Sequence, residues 1–190
     1  ERHGDAGGLS VGAWTHVIHW DGGDWSEVPV PAPPGGAGIN FSGTRIYDIV
    51  AFAEDDVWFS GAWAEPNHLA SVTWRPLALH WDGSELSVHD TPAIYSGTIT
   101  LNMHQLAATG PDDIWGMLRG NSAAGTTHSP NLLHYDGSGW SEVSVPSLGQ
   151  SVVLQDIVAP APDDVWLFGR FYFPSSPFAM HWDGSDWTTH

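Results

Sequence analysis

Two short motifs alternate along this chain, and together they fix most of what it can become. One is a His-aromatic-Asp-Gly tetrad: "HWDG" at His19, His80 and His181, and "HYDG" at His134. The other is an Asp pair before a β-branched residue and Trp: "DDVW" at Asp55 and Asp163, and "DDIW" at Asp112. The four histidines stand 61, 54 and 47 residues apart, and the leading aspartates stand 57 and 51 apart. Self-similarity at such a period implies repeated units that bury their apolar faces on one another.

Each full period reads as four short strands. The first is "IYDIVAFA" (Ile46–Ala53), "LNMHQLAA" (Leu101–Ala108) or "VVLQDIVA" (Val152–Ala159). The second begins inside the Asp-Asp motif, the third ends in the His motif, and the fourth follows its Asp-Gly. These segments are rich in β-branched and aromatic residues and bounded by Gly, Pro and Asp. No stretch sustains the three-to-four residue apolar period of a helix. Four antiparallel strands per repeat of this length is the arithmetic of a β-propeller blade. Nine of the twelve Trp lie in or beside the two motifs, where large flat side chains serve as filler between blades.

The expected fold is therefore all-β, with blade segments at about 9–30, 45–90, 100–146 and 151–190. At the N-terminal end "LSVGAW" (Leu9–Trp14) aligns with "WFSGAW" (Trp58–Trp63). The first segment thus enters its blade partway, giving three complete blades plus three strands of a fourth. A ring one strand short exposes an unpaired edge. The expected remedies are an upstream strand, a second chain that completes a larger ring, or a longer parent protein. The opening "ERHGDAGG", without Met, reads as the start of a trimmed or excised piece.

"DDVW…G" followed by "LHWDG..W..V..P" resembles the repeats of secreted bacterial β-propeller proteins, which are loosely related to kelch-like and sialidase-like propellers. The resemblance covers residues 9–190. It implies the fold and a secreted location, and it is nearly silent on activity, because this fold hosts lectins, enzymes and scaffolds. The Gly, Pro and Trp content without any Lys is similar to that of secreted proteins from high-GC Gram-positive bacteria. No repeat matches the sialidase pattern S-x-D-x-G-x-T-W, and five scattered Arg do not assemble a sialidase Arg cluster. No catalytic residue is carried over.

Five basic residues, all Arg, stand against 22 acidic ones, for a net charge of −17. Such a chain repels phosphate backbones and anionic lipid surfaces, so neither nucleic acid nor membrane is an expected partner. No apolar run is long enough to span a bilayer. Without Cys there is no disulfide and no thiol nucleophile. G-x-S-x-G, G-x-G-x-x-G and a P-loop Lys are all missing, and no carboxylate pair stands out as a glycosidase dyad. A glycoside hydrolase-like activity ranks third among the readings.

Residues that recur in every repeat serve its geometry. Asp-Gly after the third strand makes a hairpin turn. The Asp pair sits in the preceding turn, where its carboxylates can accept backbone N–H bonds. The repeated His is expected to bridge strands or blades. A His-x-Asp metal site, and a Ca²⁺ site built from the turn aspartates, rank below that reading. No cofactor is otherwise implied.

Residues that differ between repeats serve function. The variable connections are 62–76, 120–131 and 170–177 between the second and third strands, and 30–44, 91–98 and 146–151 between repeats. They are expected on the side opposite the tight turns, where loops on a rigid scaffold carry recognition. The candidate ligand-binding residues there are Trp63, Glu65, Asn67, His68, Trp74, Arg75, Tyr95, Asn121, His128, Arg170 and Tyr172, with Asn40, Phe41 and Phe173 beside them. Aromatic faces that stack on pyranose rings, with planar amide and charged groups for vicinal hydroxyls, suit a glycan or cell-surface ligand. The same inventory suits a protein interface, in which the chain assembles with other chains.

Overall fold

Each repeat folds into its own antiparallel sheet, and the two motifs occupy the same places in every one. The computed structural model of the chain describes residues 15–32, 43–66, 72–96, 99–120 and 130–190. A hairpin of β1 (Val17–Trp20) and β2 (Trp25–Val28) comes first. The first sheet is β3 (Thr44–Ala53), β4 (Asp56–Pro66), β5 (Val72–Trp81) and β6 (Leu86–His89), paired in chain order. The second contains β7 (Tyr95–Ser96), β8 (Ile99–Gly110), β9 (Asp113–Gly120), β10 (Leu132–Tyr135) and β11 (Trp140–Val143). The third is β12 (Val152–Ala161), β13 (Asp164–Phe171), β14 (Pro177–Trp182) and β15 (Trp187–Thr189). Every pairing is antiparallel, and no helix occurs among the described residues.

Three expectations need correction. Residues 62–66 and 72–76, expected as parts of a loop, are strand: β4 runs on to Pro66 and β5 begins at Val72, with Trp63 opposite Arg75 and Ala64 opposite Trp74. Trp, Val and Thr suit a pleated surface, so these residues extend the sheet instead of leaving it. Tyr95 belongs to a short strand paired with Thr100, which adds a fifth strand to the second sheet. Arg170 lies within β13, opposite Val153. The segment Leu9–Trp14, expected as a strand, lies outside the described residues.

The turn between third and fourth strands has four residues, since Trp81 pairs with Leu86 and Trp182 with Trp187. Its leading aspartate closes it. Asp82 Oδ1 accepts the N–H groups of Ser84 and Glu85 and the Ser84 hydroxyl, each at 2.8 Å. Asp21, Asp136 and Asp183 accept the corresponding backbone N–H groups. The N–H of Glu85 and then the hydroxyl and N–H of Ser84 hold the Asp82 carboxyl down at about 2. Asp186 and Ser185 do the same to Asp183, also to about 2.

The glycine of this turn is required twice over. Gly83 has φ +89, and a Cβ there would lie 2.7 Å from Asp55 Cβ. Gly137 meets Asp112 and Gly184 meets Asp163 in the same way. The two turns of each sheet therefore touch, at one end. This contact divides the Asp-Asp motif: the first aspartate lies under the glycine, and the second opens the second strand and serves the histidine. His80 Nε2 donates to Asp56 Oδ1 at 2.8 Å, His134 Nε2 to Asp113 at 2.6 Å, and His181 Nε2 to Asp164 at 2.9 Å. A carboxylate only accepts, so the imidazole nitrogen carries the proton. The expectation that this second aspartate caps backbone N–H groups is corrected, because the histidine facing it across the strand pair is the nearer donor.

Trp joins the sheets. Trp58 of β4 packs against Tyr135 and Trp140 of the second sheet, with centroids at 4.6 and 6.0 Å. Trp115 of β9 packs against Trp182 and Trp187 of the third, at 6.3 and 6.2 Å. Leu101, Met103, Ile114 and Leu133 complete the first joint, and Leu154, Leu167 and Met180 the second, all buried. The first strands of neighbouring sheets lie against one another, β3 on β8 and β8 on β12. Asp48 Oδ2 accepts the Leu106 N–H at 2.9 Å, and the Gln105 amide donates to Asp156 at 2.8 Å. Each first strand also carries an extra residue, Tyr47, His104 or Gln155, that bends it. Tyr47 and His104 stack at 4.1 Å with planes 8° apart.

Candidate functional site

At the end of the first and third sheets away from the paired turns, described connections lie against the strand ends, and several of the candidate residues are there. The chain leaving the first sheet returns to it: Thr91 Oγ donates to the Pro76 carbonyl at 3.0 Å. On the entering side the Ala64 N–H donates to the Gly43 carbonyl at 2.9 Å. In the third sheet the Tyr172 N–H donates to the Ser151 carbonyl and the Phe171 N–H to that of Ser176, both at 2.8 Å. Because a connection buried without such partners would strand its backbone groups, these bonds fix the irregular segments against the strand ends.

A cleft of about 220 Å³ opens at this end of the first sheet, lined by Trp63, Arg75, Pro76, Leu77, Val88, His89, Asp90 and Thr91. Trp63 and Arg75 meet because they are cross-strand partners of the extended β4–β5 hairpin. His89 ends the fourth strand, and Asp90 and Thr91 begin the segment leaving the sheet. Burial holds the His89 imidazole below its ordinary 6.5, with the charge of nearby His80 adding to the effect and Asp90 opposing it. The cleft thus sets a guanidinium, a carboxylate and a hydroxyl around an apolar floor, while the His89 ring packs against Trp58, His80 and Tyr135 at the joint with the second sheet. Its room lies below the ~300 Å³ at which drug-sized sites begin, and suits one small polar ring.

The aromatics chosen from the sequence divide sharply. Trp63 is buried and forms floor. Trp74 is covered by the Arg45 guanidinium, 4.3 Å from the ring centroid, and its edge abuts Gly43, where a Cβ would lie 2.9 Å away. Tyr172 and Phe173 are exposed, at a cis Phe173–Pro174 bond beside Arg170, whose Nη1 donates to Ser175 Oγ at 3.5 Å. Glu65 lies on β4 and Tyr95 on β7. Asn40, Phe41, Asn67, His68, Asn121 and His128 lie outside the described residues. Trp63 and Arg75 are thus brought together, while Arg170 and Tyr172 stand on another sheet.

Sequence reasoning missed His89 and Asp90, which sit where a regular strand gives way to a linker. The signal available was that His89 recurs as His190 in the third sheet while the second has Val143 there. At the same end of the second sheet, Asn102 Oδ1 and Arg119 Nε, on cross-strand partners, are buried with no hydrogen-bond partner. Buried polar atoms of this kind are few in native folds and mark places the fold alone does not explain.

Among the described residues no cluster of three or more His, Asp or Glu is arranged to hold a metal ion. The repeated histidines direct Nε2 to the second strand's aspartate, and the turn aspartates direct Oδ1 to backbone N–H groups. Comparison with protein families, curated proteins and solved structures yields no match.

Proposed function

We propose that the chain is part of a β-propeller whose blades are these sheets, and that it is a secreted, non-catalytic binding module recognising glycans or other cell-surface ligands through its irregular end. Radial arrangement is supported by the first strands lying side by side and by the bend their extra residues impose. The observation that carries the binding reading is the cleft at Trp63, Arg75, His89, Asp90 and Thr91. Its mixed charge and hydroxyl-matching groups suit a neutral, hydroxyl-rich ring better than an anion or an extended apolar chain. Exposed Tyr172 and Phe173 supply a second, stacking surface on the third sheet.

The test is a glycan array, bacterial polysaccharides included, probed with the 190-residue chain. Specific binding competed by free sugar, and weakened at least tenfold by Arg75→Ala or Asp90→Ala, is the expected result. Absence of binding to every glycan, or binding indifferent to both substitutions, rejects the cleft as the site. Assembly with other chains is favoured by a different observation, the apolar faces left open at the two ends of the array.

A further inference from the structure

Each internal joint has two unlike halves. One half is the Trp that follows the Asp-Asp motif, with its strand neighbours. The other is the pair of residues flanking the four-residue turn of the next sheet, with the residue before the histidine. Trp58 meets Tyr135 and Trp140, and Trp115 meets Trp182 and Trp187. The described chain carries one further copy of each half, and neither is covered. On the third sheet, Trp166 faces no following sheet, and its strand neighbour Phe168 is 38% exposed where the equivalent Met117 is 0%. On the first hairpin, Trp25 is 64% exposed where Trp140 is 7%, and Ile18 is 60% exposed where Leu133 is 0%. Trp20 and Val158 are exposed beside them.

We infer that these two faces are the halves of one more joint, closed by a second copy of this chain docking head to tail, the Trp166 face of one on the Trp20–Trp25 face of the next. The occupant is argued from the chain itself, which makes the same joint twice internally and presents both unused halves. A Trp166 face does not complement another Trp166 face, so the contact is heterologous and propagates until the geometry closes a ring. Contiguous apolar surface of this kind is uncommon on an isolated soluble chain. The net charge of −17 opposes association of copies, so added salt screens the repulsion and strengthens an apolar contact.

The test measures the mass of the 190-residue chain by sedimentation and light scattering across concentration and salt, with Phe168→Glu and Trp25→Glu as variants. Both positions are exposed, and circular dichroism and melting report whether each variant keeps its fold. Trp166→Ala and Ile18→Glu serve as replacements if either fails. The wild type is expected to grow beyond one chain as concentration and salt rise. Each variant alone should associate at least tenfold more weakly. An equimolar mixture should form a one-to-one pair, because each variant keeps the half the other has lost. A wild type that stays monomeric throughout overturns the inference, as does a variant that associates like the wild type, or a mixture that stays monomeric while the wild type assembles. Glycan binding at the Trp63–Arg75 cleft is read separately, so failure here leaves that reading standing.

Discussion

The second and third sheets are written in the same motifs and differ in company. Trp115 and Trp166 occupy one repeat position, each packed on the histidine of its own third strand, at 4.5 and 4.3 Å. Trp115 is covered by the following sheet and buried, whereas Trp166 is only half-buried. β9 is accordingly buried along almost its whole length, while β13 alternates between covered and open residues. The exposed Phe168 and Val158 of the third sheet are the face on which the inferred further contact rests.

The strongest way to break this comparison is to remove both Trp side chains. Trp115→Ala is expected to cost about 3–5 kcal/mol, as for a large aromatic lost from a packed core. Trp166→Ala should cost about 1 kcal/mol or less in dilute, monomeric protein, since it touches only its own sheet. Urea unfolding of the two variants measures the difference, and equal costs would mean that the joints contribute no more than the isolated sheets.

The turns sharpen the contrast. Gly137 and Gly22 have φ of +85 and +97, so an Ala at either pays the left-handed penalty of about 1–2 kcal/mol. Only at Gly137 does the new Cβ also meet a neighbour, Asp112, at 2.9–3.0 Å. Gly137→Ala should therefore lower stability clearly more than Gly22→Ala in thermal melts. The His134 bond to Asp113 comes next: His134→Ala should cost about 1 kcal/mol for a partly exposed hydrogen bond, with His134→Gln recovering part of it.

The smallest effect is the one the first and third sheets should share. Asp82 and Asp183 are held at about 2, below their ordinary 3.8, by donors within their own turns. A depressed carboxylate contributes stability that is complete above pH 3.8 and lost as pH falls toward 2. Asp82→Asn and Asp183→Asn should each flatten the acid-unfolding curve in that window, and by similar amounts. A large difference between them would show that the turns depend on neighbouring sheets after all.

The turns were legible in the sequence because their chemistry is local: Asp accepts from residues two and three positions on, and Gly takes the positive φ. The candidate site was legible only as a neighbourhood. Trp63 and Trp74 stood out as aromatics suited to a sugar, yet one is floor and the other lies under Arg45. Aromatic content in a variable segment says nothing of which side it buries, because that depends on strands elsewhere in the chain. Segment 62–76 looked like a loop because it breaks the repeat, yet 62–66 and 72–76 are strand because they pair as well as the residues of the repeat do.

By itself the sequence determined the repeat, the four recurring strands of each full sheet, their antiparallel order and the turns that join them, since all of these follow from residue types at short, recurring separations. Only the tertiary structure decided which tryptophans are buried, that His and the second aspartate of the Asp-Asp motif are partners, that Arg75 and Asp90 share a cleft, and that two matching faces are left open. Those facts depend on what one sheet places against another, and burial is a property of the neighbour as much as of the residue.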